Sequence, residues 1–235
     1  MCMHHIHKDY LCEFEKFNKK RKNRKSCLNA AVIIETRPTW QLPLVIKNFA
    51  ALNEDFNYYL VGTQETIDFT KKHIKNLEYF LIKRDNYTSF ISFYNYLLKK
   101  QSFWKMFEEE NILIFQTDAL ALRPIETKAF DFDFIGAVCG HLSQDLSIFD
   151  MNGGCSLRKK KPLLECLRDY DGKNIEPEDV FFTRRMRDMG CKLPTFDECQ
   201  LFSVESVFKD NEIYPSCIHG TDKFYLPTEQ IEKWI

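Results

Sequence analysis

Asn111-Ile112-Leu113-Ile114-Phe115-Gln116-Thr117-Asp118 is the stretch on which the fold turns. Ile112 to Phe115 is a continuous apolar run, too short for a buried helix and without the alternation of a half-exposed strand. It therefore reads as a strand buried on both faces. The run stops at Gln116-Thr117-Asp118, and Ala119-Leu120-Ala121-Leu122 resumes the apolar pattern at once. A carboxylate set in such a stretch is costly unless it is paired or holds a cation. Asp118 is then either the hub of a ligand site, or a buried residue that caps a neighbouring loop or pairs with Arg123.

Outward from this strand, the same signal recurs on the N-terminal side. Ala30-Ala31-Val32-Ile33-Ile34 is a buried strand that ends in Glu35-Thr36-Arg37, and residues 43–52 follow as a helix with Pro43 in its first turn. Tyr58 to Gly62 is a strand, 64–76 a helix, and Phe80 to Ile82 a short strand. Phe90, Ile91, Tyr94, Leu97 and Leu98 recur at helical spacing, with a break near Gln101-Ser102 before Phe103, Trp104 and Phe107. After Asp118 the pattern is less regular. Phe132 to Val138 reads as a strand, Leu163 to Tyr170 as a helix, and Pro177 to Met189 as a helix closed by Gly190. Strands alternating with helices predict an α/β fold with a largely parallel central sheet flanked by helices. No repeat or low-complexity linker divides residues 29–235, so they are expected to form one domain.

Bulk properties narrow the class. The 235 residues are 44% hydrophobic and 29% charged, enough for a sizeable core. Residues 1–28 hold eight Lys/Arg against three Asp/Glu, while the remainder is mildly acidic. This balance excludes nucleic acid as the expected main partner, because phosphate binding wants a basic face on the folded domain. Residues 1–28 read as a basic extension, disordered or loosely docked, in which residues 19–25 are suited at most to weak contact with a membrane surface. No apolar run is long enough to span a bilayer. The nine cysteines are odd in number and lack a CxxC pair, so they are expected as buried thiols in a reducing, cytoplasmic setting.

Ligands of open α/β sheets gather at the carboxyl ends of the strands. Besides Gln116 and Asp118, that places Thr36 and Arg37 among the candidates. Asn152-Gly153-Gly154-Cys155-Ser156-Leu157-Arg158 suggests backbone passing close to a ligand, with a simple turn as the alternative. Glu176-Pro177-Glu178-Asp179 suits a helix start, where acidic residues complement the dipole. Glu178 or Asp179 is also placed to act as a general base. His219-Gly220-Thr221-Asp222-Lys223 offers a metal ligand in His219 and a phosphate contact in Lys223, or simply an exposed loop.

Taken in order, these groups resemble glycosyltransferases of the GT-A type. The likeness is closer to an uncharacterised glycosyltransferase-like family known from giant viruses, fungi and other microbes. The segments that carry it are Val32 to Pro38, Ile114 to Asp118, Asn152 to Arg158 and Glu178 to Phe182, and it covers about residues 30–225. The resemblance implies a GT-A-like, Rossmann-like fold with a mixed, mainly parallel sheet. It implies transfer of a sugar from a nucleotide-sugar donor, most simply a UDP-sugar, to a glycan or protein acceptor, in host cytoplasm or a virion if the chain is viral. By the same resemblance, Thr36 and Arg37 would meet base or phosphate, Gln116 the ribose, and Asn152 and Gly153 the sugar. Mn²⁺ or Mg²⁺ would be held by Asp118 and His219, and Lys223 would face the diphosphate. Asp179 or Glu178 would take the acceptor proton, with inversion at the anomeric carbon. The chain departs from the usual Asp-x-Asp in carrying Gln116, which can hydrogen-bond a ribose but brings no charge. That departure leaves a second reading, a carbohydrate-binding or interaction module of weakened catalysis on the same fold.

Overall fold

The computed structural model describes residues 14–16, 27–75, 77–82, 89–139, 147–205 and 213–220. Its centre is a set of parallel strands: β2 (Asn29–Glu35), β3 (Phe56–Gly62), β4 (Glu78–Ile82) and β5 (Asn111–Phe115). β1 (Phe14–Lys16), inside the stretch expected as an extension, adds antiparallel to β4. Beyond β5 lies β8 (Met151–Lys159), antiparallel both to β5 and to β7 (Phe134–Val138). The sheet order is β1-β4-β3-β2-β5-β8-β7. The sheet is therefore mixed: β2, β3, β4, β5 and β7 run the same way, β8 is inserted antiparallel between β5 and β7, and β1 is antiparallel at the opposite edge.

Ala30 to Glu35 of β2 and Ile112 to Phe115 of β5 are all buried, as their unbroken apolar runs require. Helix α1 (Gln41–Leu52) links β2 to β3 and buries Leu42, Val45, Ile46 and Phe49, with Phe49 stacked on Phe115 at 4.4 Å between ring centroids. Helix α2 (Gln64–Lys71) starts at Thr63, whose side chain accepts a hydrogen bond from the Thr66 amide. It stops short of the expected residue 76. The chain turns after Lys72, and His73 packs against Trp40 and Phe69.

Ser89 caps α3 (Phe90–Leu98) in the same way, and the break before α4 (Gln101–Trp104) falls at Lys99-Lys100. Helix α5 spans Lys160–Cys166, earlier than the periodicity indicated. Helix α6 (Glu178–Asp188) ends as read, with Gly190 at φ +70°. Helix α7 (Phe196–Phe202), which the sequence pattern did not reveal, opens on a capping box of Thr195 and Glu198. A small sheet of β6 (Leu120–Ala121), β10 (Cys217–Ile218) and β9 (Ser203–Val204) completes the architecture. Among the described residues, no helix is long and apolar enough to cross a membrane.

Candidate functional site

The site is built where β5, β8 and β10 come together. β5 delivers Gln116 and Asp118 from its carboxyl end, and the Gln116 amide donates to the Gly154 carbonyl of β8 at 2.9 Å. β10 runs parallel to β9, and the His219 amide donates to the Val204 carbonyl at 2.9 Å, so the residues following these two strands stand side by side. The His219 ring is thereby brought to Asp118. Its Nε2 lies 3.2 Å from Asp118 Oδ1 and 3.2 Å from Gln116 Oε1, and its Nδ1 lies 3.3 Å from Glu205 Oε1. The His219 side chain is 2% exposed and that of Asp118 11%. Arg123, the alternative partner for Asp118, engages Glu126 and the Leu201 carbonyl.

The glycines of Asn152-Gly153-Gly154 have a steric explanation. A Cβ on Gly154 would stand 2.0 Å from His219 Nε2, and one on Gly153 would stand 2.3 Å from Glu178 Oε1. The segment also slips its register against β7, where Gly136 faces Ser156 and Val138 faces Met151. Side chains serve the backbone groups it sets free. Gly153 N donates to Asp179 Oδ2 at 3.0 Å, Gly154 N to Asn152 Oδ1 at 2.7 Å, and the Ser156 hydroxyl to the Gly153 carbonyl at 3.0 Å. Gly154→Ala must displace the imidazole or push β8 away from β5. A loss of about 1–3 kcal/mol in urea-unfolding stability is expected, with disordering of His219.

The two acidic residues at the start of α6 have different surroundings. Glu178 is buried, and Arg158 reaches it with both terminal nitrogens, Nη2 at 2.9 Å from Oε1. Burial pushes the Glu178 carboxyl up against the opposing pull of Arg158. Arg158 is itself fully buried among the rings of Trp104, Phe134 and Phe182. Asp179 is half-buried beside Gly153 and also accepts from the Val180 amide at 2.8 Å. The geometry therefore gives Glu178 a structural partner and leaves Asp179 at the edge of the glycine segment.

At the end of β2, Glu35 organises the loop. Its Oε1 accepts from the amides of Thr36 and Arg37 at 2.8 and 2.9 Å, and the Arg37 guanidinium folds back on both its oxygens at 3.0 Å. Thr36 is buried, whereas the Arg37 side chain is 62% exposed and reaches over the Phe90 ring. Lys223 and the basic residues 19–25 lie outside the described residues.

Cysteine chemistry departs from expectation. Cys155 and Cys217 form a disulfide that ties β8 to β10 immediately beside Gly154 and His219, across a separation of 62 residues. The reading as free thiols holds among the described residues for Cys27, Cys139, Cys166, Cys191 and Cys199, and is corrected at this pair. Only the tertiary approach of two remote strands brings these sulfurs together. Glu205 was missed for the same reason, since nothing in Ser203-Val204-Glu205 signals a site.

Burial pulls the His219 imidazole down, but the carboxylates of Asp118 and Glu205 on its two edges outweigh it and raise the group to about 8, although Nδ1 makes no hydrogen bond. Among the described residues, no three His, Cys, Asp or Glu side chains converge as a ready-made metal cage. Asp118 and His219 nevertheless suit a shared cation. Ligands roughly 2.1 Å from a metal on adjacent octahedral corners stand about 3 Å apart, close to the separation of their facing atoms. Mg²⁺-like sites commonly draw one or two ligands from the protein and the rest from water and substrate phosphate.

Together these elements define an α/β protein whose mixed sheet carries a buried His–carboxylate cluster at the end of its central strand. The chain belongs to the family described as "Protein of unknown function (DUF5672)", whose model matches residues 76–219. That span runs from β4 to His219 and includes Gln116, Asp118, Asn152 to Gly154, Glu178, Asp179 and Glu205, but not Thr36 or Arg37. No curated protein matches the chain.

Proposed function

We propose that the protein transfers a sugar from a nucleotide-sugar donor, in the first instance a UDP-sugar, to an acceptor hydroxyl, on a GT-A-like scaffold. The observation that carries this reading is the meeting of Asp118, Gln116 and His219 against Gly154 at the carboxyl end of β5. A divalent cation bound there would displace the proton from His219 Nε2 and could take Asp118 Oδ1 and Gln116 Oε1, each 3.2 Å from that nitrogen, as companion ligand atoms.

In this reading Asp118 and His219 hold Mn²⁺ or Mg²⁺, which when bound supplies positive charge beside the departing diphosphate. Gln116 meets a ribose hydroxyl. Arg37, braced by Glu35, stands at the end of the neighbouring strand to meet the base or phosphate. Asn152 and Gly153 border the sugar. Asp179 accepts the proton of the attacking acceptor hydroxyl, the step its half-buried carboxylate beside Gly153 suits, with inversion at the anomeric carbon. Glu178 keeps α6 in place through Arg158 and takes no part in proton transfer. Lys223 is the candidate for a second positive charge at the diphosphate.

Purified protein incubated with Mn²⁺ and a panel of UDP-sugars is expected to show slow donor hydrolysis that stops on chelation. Absence of both binding and turnover for every sugar nucleotide would sink the proposal. Glycan binding without sugar-nucleotide binding would favour a carbohydrate-binding module instead.

A further inference from the structure

We propose that Glu205 is the positioning residue of this centre: it fixes His219 with its proton on Nδ1 and so presents the Nε2 lone pair to a divalent cation shared with Asp118. The inference rests on the reading that a cation binds between Asp118 and His219.

The imidazole has little freedom. Gly154 closes against it so tightly that even a methyl group there would stand 2.0 Å from Nε2. Both nitrogen edges face acidic groups, Asp118 Oδ1 at 3.2 Å from Nε2 and Glu205 Oε1 at 3.3 Å from Nδ1. The two carboxylates lie on opposite edges of the ring, so they do not act as two arms of one chelate. A single cation can be shared by Nε2 and Asp118, with Gln116 Oε1 alongside at 3.2 Å from Nε2. Glu205 is left on the far edge.

A neutral imidazole carries one proton and one lone pair, and the partner of one nitrogen decides what the other presents. A carboxylate at Nδ1 draws the proton there. It leaves Nε2 as a ligand atom, raises its basicity and fixes the ring plane, the usual service of a carboxylate behind a metal-bound histidine. Nδ1 makes no hydrogen bond as the side chains stand, so a small rotation of the Glu205 carboxylate, already 3.3 Å away, must bring it into line. The Glu205 side chain is 8% exposed, and it follows β9 directly, while His219 follows the paired strand β10. The pairing of β9 with β10 therefore sets the distance between Glu205 and His219.

Mn²⁺ alone is the probe. Its free electron-paramagnetic-resonance signal, titrated with the full chain, is expected to report one site per chain. Glu205→Gln, which keeps the shape and removes the charge, is expected to weaken that site by about 10–100-fold. Asp118→Asn should weaken it at least as much. ¹⁵N spectra of the His219 ring with Mg²⁺ in place of Mn²⁺ give a second readout that general loosening would not produce. They should show an Nδ1–H proton shifted downfield by a carboxylate acceptor in the wild type, and the same proton upfield in Glu205→Gln. Wild-type binding that is unchanged in Glu205→Gln, with the same Nδ1–H shift, overturns the role of Glu205 and leaves the cation reading standing. A wild type that takes up no Mn²⁺ overturns the cation reading, and the role of Glu205 falls with it.

Discussion

Under the proposed sugar transfer, Asp118→Asn is expected to lower sugar-nucleotide turnover by about a thousandfold or more, roughly 4 kcal/mol of transition-state stabilisation, while the fold survives. The substitution is nearly isosteric, so the space beside the His219 ring stays filled. What it removes is the negative charge that would help hold a cation beside the diphosphate. Donor hydrolysis followed with Mn²⁺ present, together with the thermal midpoint, separates the two effects. A midpoint within a few degrees of wild type with turnover lost is the expected pair of results. Turnover that survives the substitution would remove Asp118 from the centre of the mechanism.

Arg158→Met should have the largest effect on stability. Arg158 and Glu178 are a fully buried bidentate pair, and removing one partner of such a pair leaves an uncompensated charge, at a cost of about 3–5 kcal/mol. For a chain of this size, that corresponds to a fall in melting temperature on the order of 10 °C. Arg158→Met combined with Glu178→Leu should recover much of the loss, because two apolar side chains can fill the space among Trp104, Phe134 and Phe182 without an orphaned charge. Urea unfolding of the two single variants and the double variant measures the coupling. Additive losses would mean that the pair does not act as a unit.

Much of the candidate site is legible in the chain. The apolar runs at Ala30–Ile34 and Ile112–Phe115 gave the buried parallel strands, and the polar residues that end them gave Arg37, Gln116 and Asp118. His219 was legible as a candidate ligand from its loop. The paired glycines were visible too, although the neighbours that require them are His219 and the Arg158–Glu178 pair. Nothing in the local pattern separates Glu178 from Asp179. Adjacent residues at a helix start have the same local chemistry, and only the position of Arg158 on β8 draws one of them inward.

The parts that were missed are non-local. β8 carries no strand signal that its glycines do not obscure, and its antiparallel insertion between β5 and β7 rests on pairing with segments distant in the chain. The strands of the small sheet are only two residues long, too short for any periodic signal, yet they carry His219 to Asp118 and set Glu205 behind it. The Cys155–Cys217 link likewise depends on the approach of two strands far apart in the chain. Local hydrophobic pattern is set by neighbours along the chain, so the sequence alone determined the buried strands, most of the helices and the polar residues at the strand ends. Which of those residues meet is set by register and strand pairing between distant segments, and that was decided by the tertiary structure alone.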